Sequence, residues 1–439
     1  MLLDRADAMN DVLGRPPGIN LLLDPQLLER RVEDDRSAEA TLAKLFRLCV
    51  PVSESDAARA LAPIETEALV ETGLVVMEDG LVRPLARVAH DEGLLVASDP
   101  ARLPQPPDFV AGPSPAARRV DRLTIRRPAA RALDLGTGSG IQALRTAAHC
   151  EQVVAADINE RALAFGRFNA ALNGRANLEF RSGDWLEPVA GERFDLIVAN
   201  PPYVVSPDSV LLYRDSDLPG DAVTRKLVQE VPEYLEEDGF AHVMGNWIHR
   251  RDEDWRGPVE ECVVGSGCDA LLLKYATLDP VHYAAQGNLL EVAAGGEPFL
   301  GAVDRWLDYY RREGIQAVSE VMVVLRRRTG GRNWVRAIEI PGSPTGPAGD
   351  HVLRLFEARD RHEELKDDAT RFALAPGVKL TRRAKGPELA DVETKLELEN
   401  GIGFSVGVQP GLTEKLASLD PPTVRRLFAL GLIVIESSS

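Results

Sequence analysis

Short apolar runs alternate with amphipathic stretches through the middle of the chain. The apolar runs favour strands, and the longer stretches between them favour helices. The predicted strands are 132–135, 153–156, 178–181, 194–199 and 240–244, and the predicted helices are 141–148, 161–172 and 222–235. Strands that alternate with helices in this way predict an α/β fold with a doubly wound, mainly parallel sheet.

Two proline-rich segments divide the chain. Their prolines are Pro104, Pro106, Pro107 and Pro113 in the first segment and Pro341, Pro344 and Pro347 in the second. Such clusters are typical of linkers, and a chain of 439 residues exceeds the usual size of one core. We therefore predict three domains, at 1–112, 113–340 and 341–439. Two later apolar runs, 270–273 and 321–325, are predicted to complete the central sheet as edge strands.

The N-terminal part shows the pattern of a winged helix. Ser53 is a candidate N-cap for a helix that ends at Leu61, and a second helix is predicted over 64–72. Apolar residues then flank Asp79-Gly80, a strong hairpin signal. Because the second helix carries little Lys or Arg, this winged-helix-like domain favours docking over DNA binding.

The C-terminal part combines a hairpin with a helix and a strand. The hairpin is predicted around Glu399-Asn400-Gly401, and the final helix leads into an apolar run over 430–436. This ending resembles the stretch 71–78 of the N-terminal part, where a glycine also separates a helix from an apolar strand. We predict an accessory α+β domain.

Charge and cysteine content narrow the functional classes. The formal net charge of -17 disfavours a broad basic surface for nucleic acid, although a local basic patch stays compatible with it. The cysteines (Cys49, Cys150, Cys262 and Cys268) show no paired spacing, which indicates a reduced, cytoplasmic protein. Residues 1–20 lack the apolar run of a signal peptide or membrane span, so we expect no membrane partner.

A glycine-rich turn carries the strongest chemical signal. It follows the first predicted strand and opens a helix, and its residues are Asp134, Leu135, Gly136, Thr137, Gly138, Ser139 and Gly140. Glycines allow a ligand to approach the backbone closely. The spacing is G-x-G-x-G rather than the G-x-G-x-x-G of a dinucleotide site. Asp157, followed by Ile158, ends the second strand, where a carboxylate can accept hydrogen bonds from ribose hydroxyls.

Two more groups of candidate ligand-binding residues follow the third and fourth predicted strands. After the third come Asp184 and Trp185, which suit an exocyclic amine and a flat ring such as adenine. The fourth strand ends in Asn200, Pro201, Pro202 and Tyr203. The prolines restrict the backbone, so the Asn200 side chain and nearby carbonyl can grip an N–H2 group. Ligands of open parallel sheets bind beyond the carboxyl ends of the strands.

These motifs resemble the class I S-adenosylmethionine-dependent methyltransferases of the NPPY group, whose fold is a Rossmann-like seven-stranded sheet. The stretch 131–204 is similar to the glutamine methyltransferases that modify peptide-chain release factors. The resemblance implies that 134–140, Asp157 and Ile158 bind S-adenosylmethionine. It further implies that Asp184 and Trp185 lie beside adenine, and that residues 200–203 clamp the methyl acceptor while Asn200 also borders the cofactor. No metal is implied.

The sequence departs from the release-factor pattern after Val204, which leaves the acceptor open. The leading hypothesis is N-methylation of a glutamine-like amide in a protein or peptide. The alternatives are an exocyclic amine of RNA or DNA, for which 311–312 or 326–328 could supply a basic strip, a small molecule, and a regulatory scaffold that only senses the cofactor. Tyr213, Arg214 and Asp221 are candidates for the acceptor site. The oligomeric state stays open.

Overall fold

The computed structural model describes residues 25–100, 105–251, 254, 256–289, 296–330, 332–366, 370–385, 391–408 and 420–436. The prediction for residues 1–20 therefore lies outside the described residues. Within the described ranges, no helix is both long and apolar enough to cross a lipid bilayer.

The N-terminal unit combines helices, a small sheet and a hairpin. Its elements are α1 (Pro25–Val32), α2 (Ala38–Ala43) continued by a π-helical turn (Lys44–Leu48), β1 (Val52–Ser53), α3 (Glu54–Leu61), α4 (Thr66–Glu71), β2 (Val75–Glu78), β3 (Leu81–Pro84), β4 (Arg87–Asp91) and β5 (Leu94–Ser98). The Ser53 hydroxyl accepts the Asp56 N–H at 3.1 Å and caps α3. Asp79 and Gly80 have positive φ, as a two-residue hairpin turn requires. The predicted helices and hairpin are confirmed.

The central unit supplies the large sheet and its helices. Its elements are α5 (Pro115–Leu123), β6 (Ala129–Leu135), α6 (Ile141–Thr146), β7 (Cys150–Asp157), α7 (Glu160–Leu172), β8 (Leu178–Ser182), β9 (Phe194–Ala199), α8 (Ala222–Glu230), β10 (Leu235–Arg250), α9 (Arg256–Val263), β11 (Cys268–Leu278), α10 (Pro280–Gly287), α11 (Gly296–Glu313), β12 (Ile315–Arg327) and β13 (Val335–Glu339). Helix α8 ends earlier than predicted, because Pro232 follows it and β10 already begins at Leu235.

The sheet order is β13-β11-β12-β10-β9-β6-β7-β8. Strands β8, β7, β6, β9 and β10 are parallel neighbours, whereas β12 runs antiparallel to both β10 and β11. The predicted doubly wound sheet is confirmed, and β13 adds an eighth strand. The prediction that 270–273 and 321–325 form edge strands is wrong, because β11 and β12 both have neighbours on either side. Their continuous apolar runs reflect burial on both faces.

Successive strand residues feed two cores on opposite faces of the sheet. Leu133 and Ile197 belong to one core, which is covered by α8 and α9. Ala132 and Val198 belong to the other, which is covered by α5, α6 and a helix of the C-terminal part. The period-two alternation thus buries every central strand from both sides.

The C-terminal unit packs against the central sheet through its first helix. Its elements are α12 (Gly349–Asp360), β14 (Phe372–Leu374), β15 (Val378–Lys385), β16 (Asp391–Leu398), β17 (Ser405–Gly407), α13 (Pro421–Ala429) and β18 (Ile433–Ile435). Phe356 of α12 makes an edge-on ring contact with Phe240 of β10. The hairpin predicted around Asn400 is confirmed, since β16 and β17 pair antiparallel on either side of it.

Candidate functional site

The pocket lies where the winding of the sheet reverses. Strands β6 and β9 are neighbours, yet α6 packs on one face of the sheet and α8 on the other. This is the topological switch point at which open α/β sheets bind ligands. A cavity of about 310 Å³ opens there, beyond the carboxyl ends of β6 to β9. The site residues predicted from the sequence that line this cavity are Leu135, Gly136, Thr137, Gly138, Ser139, Asp157, Ile158, Asp184, Trp185 and Asn200 to Tyr203.

The glycine-rich loop turns sharply between β6 and α6. Gly136, Gly138 and Gly140 have φ values of 71°, 54° and 83°, which side chains rarely adopt. A Cβ at Gly140 would lie 3.1 Å from the Cα of Gly166 in α7, so the loop packs tightly on that helix. Gly136, Gly138 and their neighbours present backbone to the pocket, whereas Gly140 does not line it.

Asp134 lies buried beneath this loop and does not line the pocket. Its Oδ2 accepts hydrogen bonds from Thr137 Oγ1 at 2.6 Å and from the Ala143 N–H at 2.9 Å. Burial raises the pKa of Asp134 to about 7, while these two donors oppose the shift. The carboxyl group therefore fixes the shape of the loop from below.

Asp157 ends β7 and faces the pocket directly. One carboxylate oxygen accepts the Gly138 N–H at 2.8 Å, and the other accepts the Asn159 N–H at 2.9 Å. Burial raises the pKa of Asp157, and the backbone donors counteract this effect. Each oxygen retains a lone pair, so the group has capacity for ribose hydroxyls.

Asp184 and Trp185 form the end of the pocket beyond β8. Trp185 has a φ of 47°, and its partly buried side chain packs against the core under α8. A Cβ at Gly183 would lie 2.5 Å from the Pro188 ring, so this turn needs glycine. The indole and the exposed Asp184 carboxylate together offer a flat surface and an acceptor.

Asn200 directly follows β9, and its side-chain oxygen has no hydrogen-bond partner among the described residues. This oxygen, Oδ1, is buried. Tyr203 lies nearby, and burial raises its pKa to about 12, so the phenol stays neutral. A buried acceptor without a donor is costly, so this oxygen has the capacity to accept an N–H group.

The opposite wall comes from two loops, of which sequence reasoning assigned Tyr213 and Arg214 to the acceptor site but nothing in the segment 105–117. Phe109 lies within the first proline-rich segment, and its ring centroid lies 5.5 Å from that of Tyr213. The Tyr213 hydroxyl lies 3.0 Å from Gln105 Oε1, and the Leu212 N–H donates to the Pro107 carbonyl at 3.0 Å. No sequence signal joins residues separated by more than a hundred positions.

The three acceptor-site candidates fall in different places. Tyr213 and Arg214 line the pocket. The Arg214 guanidinium is held by the buried Asp215 carboxylate at 2.8 Å. Asp221 lies away from the pocket, because it pairs with Arg225 at 2.8 Å and accepts the Ile248 N–H. The loop after β9 therefore contributes residues 200–204 and 212–214 to the pocket.

A family model described as Methyltransferase small domain matches residues 120–248, the segment that contains these strand-end residues. Residues 120–248 are therefore similar to class I methyltransferase domains. The release factor glutamine methyltransferase of Xylella fastidiosa is 39% identical over 146 residues, which cover 30% of this chain and 51% of that protein. Its counterpart in Yersinia pestis is 34% identical over 167 residues, which cover 35% of this chain and 58% of that protein.

Other comparisons concern the fold and the N-terminal part. A solved methyltransferase from Pyrococcus furiosus has a TM-score of 0.31 and 17% identity, and the match covers 49% of this chain and 84% of that one. A family model described as Domain of unknown function (DUF7059) matches residues 7–85. The chain spans about half the length of the release factor glutamine methyltransferases that it matches.

The residues of the pocket fit S-adenosylmethionine, the cofactor that the methyltransferase resemblance implies. Glycine backbone lines the centre, a carboxylate stands at the end of β7, and an indole stands beyond β8. Asn200, whose Oδ1 is buried without a hydrogen-bond partner among the described residues, lines the remaining end. Within the described part of the chain, no cluster of His, Cys, Asp and Glu side chains suits a metal ion.

Proposed function

We propose that this chain is an S-adenosylmethionine-dependent N-methyltransferase that acts on a glutamine side-chain amide in a protein or peptide. The buried, unpartnered Oδ1 of Asn200, beside the glycine loop in one pocket, is the observation that carries the proposal. An amide N–H2 of the acceptor would supply the missing donor. The relatives named release factor glutamine methyltransferase support the same acceptor chemistry.

The clamp works mainly by positioning. Asn200 Oδ1 and the Pro201 carbonyl would accept the two N–H bonds of the acceptor amide, which orients the nitrogen lone pair toward the cofactor. These acceptors also stabilise the positive charge that grows on nitrogen during transfer. When bound, the cofactor would supply a methyl group carried on a positively charged sulfur. The acceptor nitrogen would form a bond to the methyl carbon as the carbon–sulfur bond breaks, which leaves a neutral thioether, and the methylated nitrogen would release one proton to solvent. Neutral Tyr203 would pack against the planar amide rather than act as a base.

The mouth of the pocket favours a protein acceptor. Ile158 and Leu212 line the pocket and are 55% and 46% exposed, and Val210 in the same loop is 59% exposed. Exposed aliphatic groups beside a pocket suit contact with a protein surface. A phosphodiester backbone would need cations instead, and Arg214, the cationic side chain among the described lining residues, is already paired with Asp215.

Of the two basic strips that the nucleic-acid alternative invoked, 311–312 and 326–328, the second is already engaged. Arg326 bonds the Asp269 and Asp360 carboxylates at 2.6 Å each. Arg328 also pairs with Asp360, at 2.8 Å, and Arg327 donates to the Pro232 carbonyl. These ion pairs hold the C-terminal unit against β11 and β12, so 326–328 does not offer a free basic surface.

The accessory units would serve docking. We propose that the N-terminal unit, with its order of helix, strand, two helices and hairpin, is a winged-helix-like module for the protein partner. The proposed divisions remain 1–112, 113–340 and 341–439. A cytoplasmic location is supported by the four cysteines, which are buried and form no disulfide.

The proposal is tested by following the labelled methyl group. Purified protein is incubated with tritiated S-adenosylmethionine, and bacterial release factor and total RNA are offered in separate reactions. We expect label in the release factor, recovered as methylated glutamine by mass spectrometry of a digest. Label in RNA instead, or no label in either substrate together with no affinity for the cofactor, would overturn the proposal.

A further inference from the structure

The pocket lacks an evident partner for one charge of the proposed cofactor. S-adenosylmethionine carries a carboxylate on its methionine part, besides the positive sulfonium and ammonium groups. Among the described lining residues, Arg214 alone has a cationic side chain, and it is neutralised by Asp215 at 2.8 Å. Asp157 and Asp184 add negative charge. A buried carboxylate requires a compensating cation or donor.

The order of the lining residues at the strand ends indicates which end of the pocket would receive this carboxylate. Going across β8, β7, β6 and β9, the pocket passes Asp184, Asp157, the glycine loop and Asn200 in turn. Adenine, ribose and the reacting sulfur would occupy these places under the proposed function. The remaining wall is the segment 109–117, which includes the first turn of α5. The positive end of a helix dipole favours an anion there.

Arg87 of the N-terminal unit lies directly behind this wall. A Cβ on Gly112 would be 3.9 Å from Arg87 Nη1 and 2.8 Å from Ser98 Oγ. Gly112 lines the pocket and Arg87 does not, and the Ser98 side chain lies beside the guanidinium at this wall. Arg87 forms no hydrogen bond or ion pair with any described residue. Its guanidinium would therefore reach a ligand past the Gly112 backbone, where no side chain projects.

The neighbouring charges leave this positive group uncompensated. Arg118 shares Asp91 with Arg145, at 2.7 Å and 2.6 Å, so the nearest carboxylate already serves two cations. Arg47 has a buried Nε without a partner among the described residues. Burial and repulsion from Arg118 lower the pKa of Arg87, and burial and repulsion lower that of Arg47 to about 10. An anion would relieve this repulsion.

We propose that Arg87, reinforced by Arg47, recognises the carboxylate of the cofactor's methionine part past Gly112. The inference rests on the proposed function, because it presumes that S-adenosylmethionine occupies the pocket. It makes the N-terminal unit part of the cofactor site rather than a docking module alone. Removal of that unit would then impair cofactor binding as well as partner binding.

Calorimetric titration with two ligands tests this inference. S-adenosylmethionine is compared with its decarboxylated form, which differs only by the carboxylate. Arg87→Ala should weaken binding of the first ligand roughly tenfold or more, as expected for a hydrogen-bonded charge pair, and binding of the second less than about twofold. Arg87→Lys should keep part of the preference, because it keeps the charge. Arg83→Ala, in the same unit beside Glu78, is the matched control and should change neither affinity.

The ratio of the two affinities decides the outcome. A general loss of stability in Arg87→Ala would weaken both ligands alike, so the ratio within one sample remains informative. Equal affinities of the wild-type protein for the two ligands, or an unchanged ratio in Arg87→Ala, would overturn the role of Arg87. If the wild-type protein bound neither ligand, the proposed function itself would fail.

Discussion

The two walls of the pocket are built in different ways. The strand-end wall comes from the termini of β6, β7, β8 and β9, and its side chains are fixed by the sheet and by short local hydrogen bonds. Asp157, for example, accepts two backbone N–H groups within 2.9 Å. The loop wall comes from 105–117 and 204–215, which contact each other only after the chain has folded.

This difference in construction suggests that the strand-end wall binds the cofactor and the loop wall recognises the methyl acceptor. Parallel strands hold polar groups at fixed spacing, which suits a cofactor whose parts have fixed separations. The two loops are joined by single hydrogen bonds, such as the one from the Leu212 N–H to the Pro107 carbonyl. Such loops can expose aliphatic side chains, and their sequence can change without disturbing the sheet. We therefore expect the strand-end wall to govern methyl transfer and cofactor affinity, and the loop wall to govern the acceptor.

The largest effect is expected at the clamp of the strand-end wall. Asn200→Ala removes the buried acceptor and should lower kcat about 100- to 1000-fold, as loss of one preorganised group does in other transition states. The Kd for S-adenosylmethionine should change less than about threefold, because the glycine-rich loop, Asp157 and Trp185 would supply most of the contacts with the cofactor. Single-turnover transfer of tritium measures the first quantity and calorimetry the second.

A matched amide elsewhere provides the control for the clamp. Asn333 donates to the Arg328 carbonyl at 2.9 Å, far along the chain from the pocket. Asn333→Ala should leave kcat unchanged. A normal kcat in Asn200→Ala would show that methyl transfer does not depend on this side chain, and the division between the walls would lose its main support.

The second effect concerns cofactor affinity alone. Asp157→Ala removes the carboxylate at the end of β7 and its hydrogen bond with the Gly138 N–H. We expect the Kd for S-adenosylmethionine to rise about 10- to 100-fold, the range for hydrogen bonds to a charged group. Asp157→Asn keeps one acceptor oxygen and should have an intermediate Kd. Unchanged calorimetric affinity in both variants would refute a ribose contact.

The third effect is a pH dependence of folding stability caused by Asp134, which lies beneath the glycine-rich loop of the strand-end wall. Burial raises the pKa of Asp134 to about 7, whereas a carboxyl in an unfolded chain titrates near pH 4. Between these values only the folded chain binds the proton, so the stability from this group decreases as pH rises toward 7. Asp134→Asn imitates the protonated form. Its Tm relative to wild type should rise by several degrees between pH 5 and pH 8.

An exposed aspartate with the opposite shift gives the control. Hydrogen bonds from Thr423 lower the pKa of Asp420, so its contribution is present above about pH 4 and is lost only in more acid solution. Asp420→Asn should therefore keep a constant Tm difference from wild type between pH 5 and pH 8. A similarly constant difference for Asp134→Asn would mean that the loop carboxyl is ionised throughout.

The strand-end wall could be predicted from the sequence, because its signals are local. Glycine spacing, an aspartate after a predicted strand and consecutive prolines each act within a few residues. Their convergence follows from parallel topology, which brings the carboxyl ends of strands to one edge. The order of β11, β12 and β13 could not be predicted, because apolar runs buried on both faces give no indication of their neighbours.

The loop wall could be predicted only in part, because its contacts are not local. Tyr213 and Arg214 were candidates and line the pocket, whereas the segment 105–117 was not assigned to the site. Phe109 lies in a stretch whose prolines indicate a linker, and nothing in that stretch points to Tyr213. Arg87 was also missed, since its relation to the pocket depends on the absence of a side chain at Gly112. Asp221 was a plausible acceptor residue by position, but a salt bridge to Arg225 occupies it.

The smallest effect tests the loop wall and should leave the cofactor untouched. Leu212 is 46% exposed, so truncation to alanine removes only part of a buried contact with the acceptor. With bacterial release factor as acceptor, Leu212→Ala should raise KM about three- to tenfold at constant kcat, the loss expected for one or two methylene groups. Val281→Ala, equally exposed on α10, is the matched control and should not change KM. A rise in the Kd for S-adenosylmethionine, or an unchanged KM, would show that the two walls do not divide their tasks in this way.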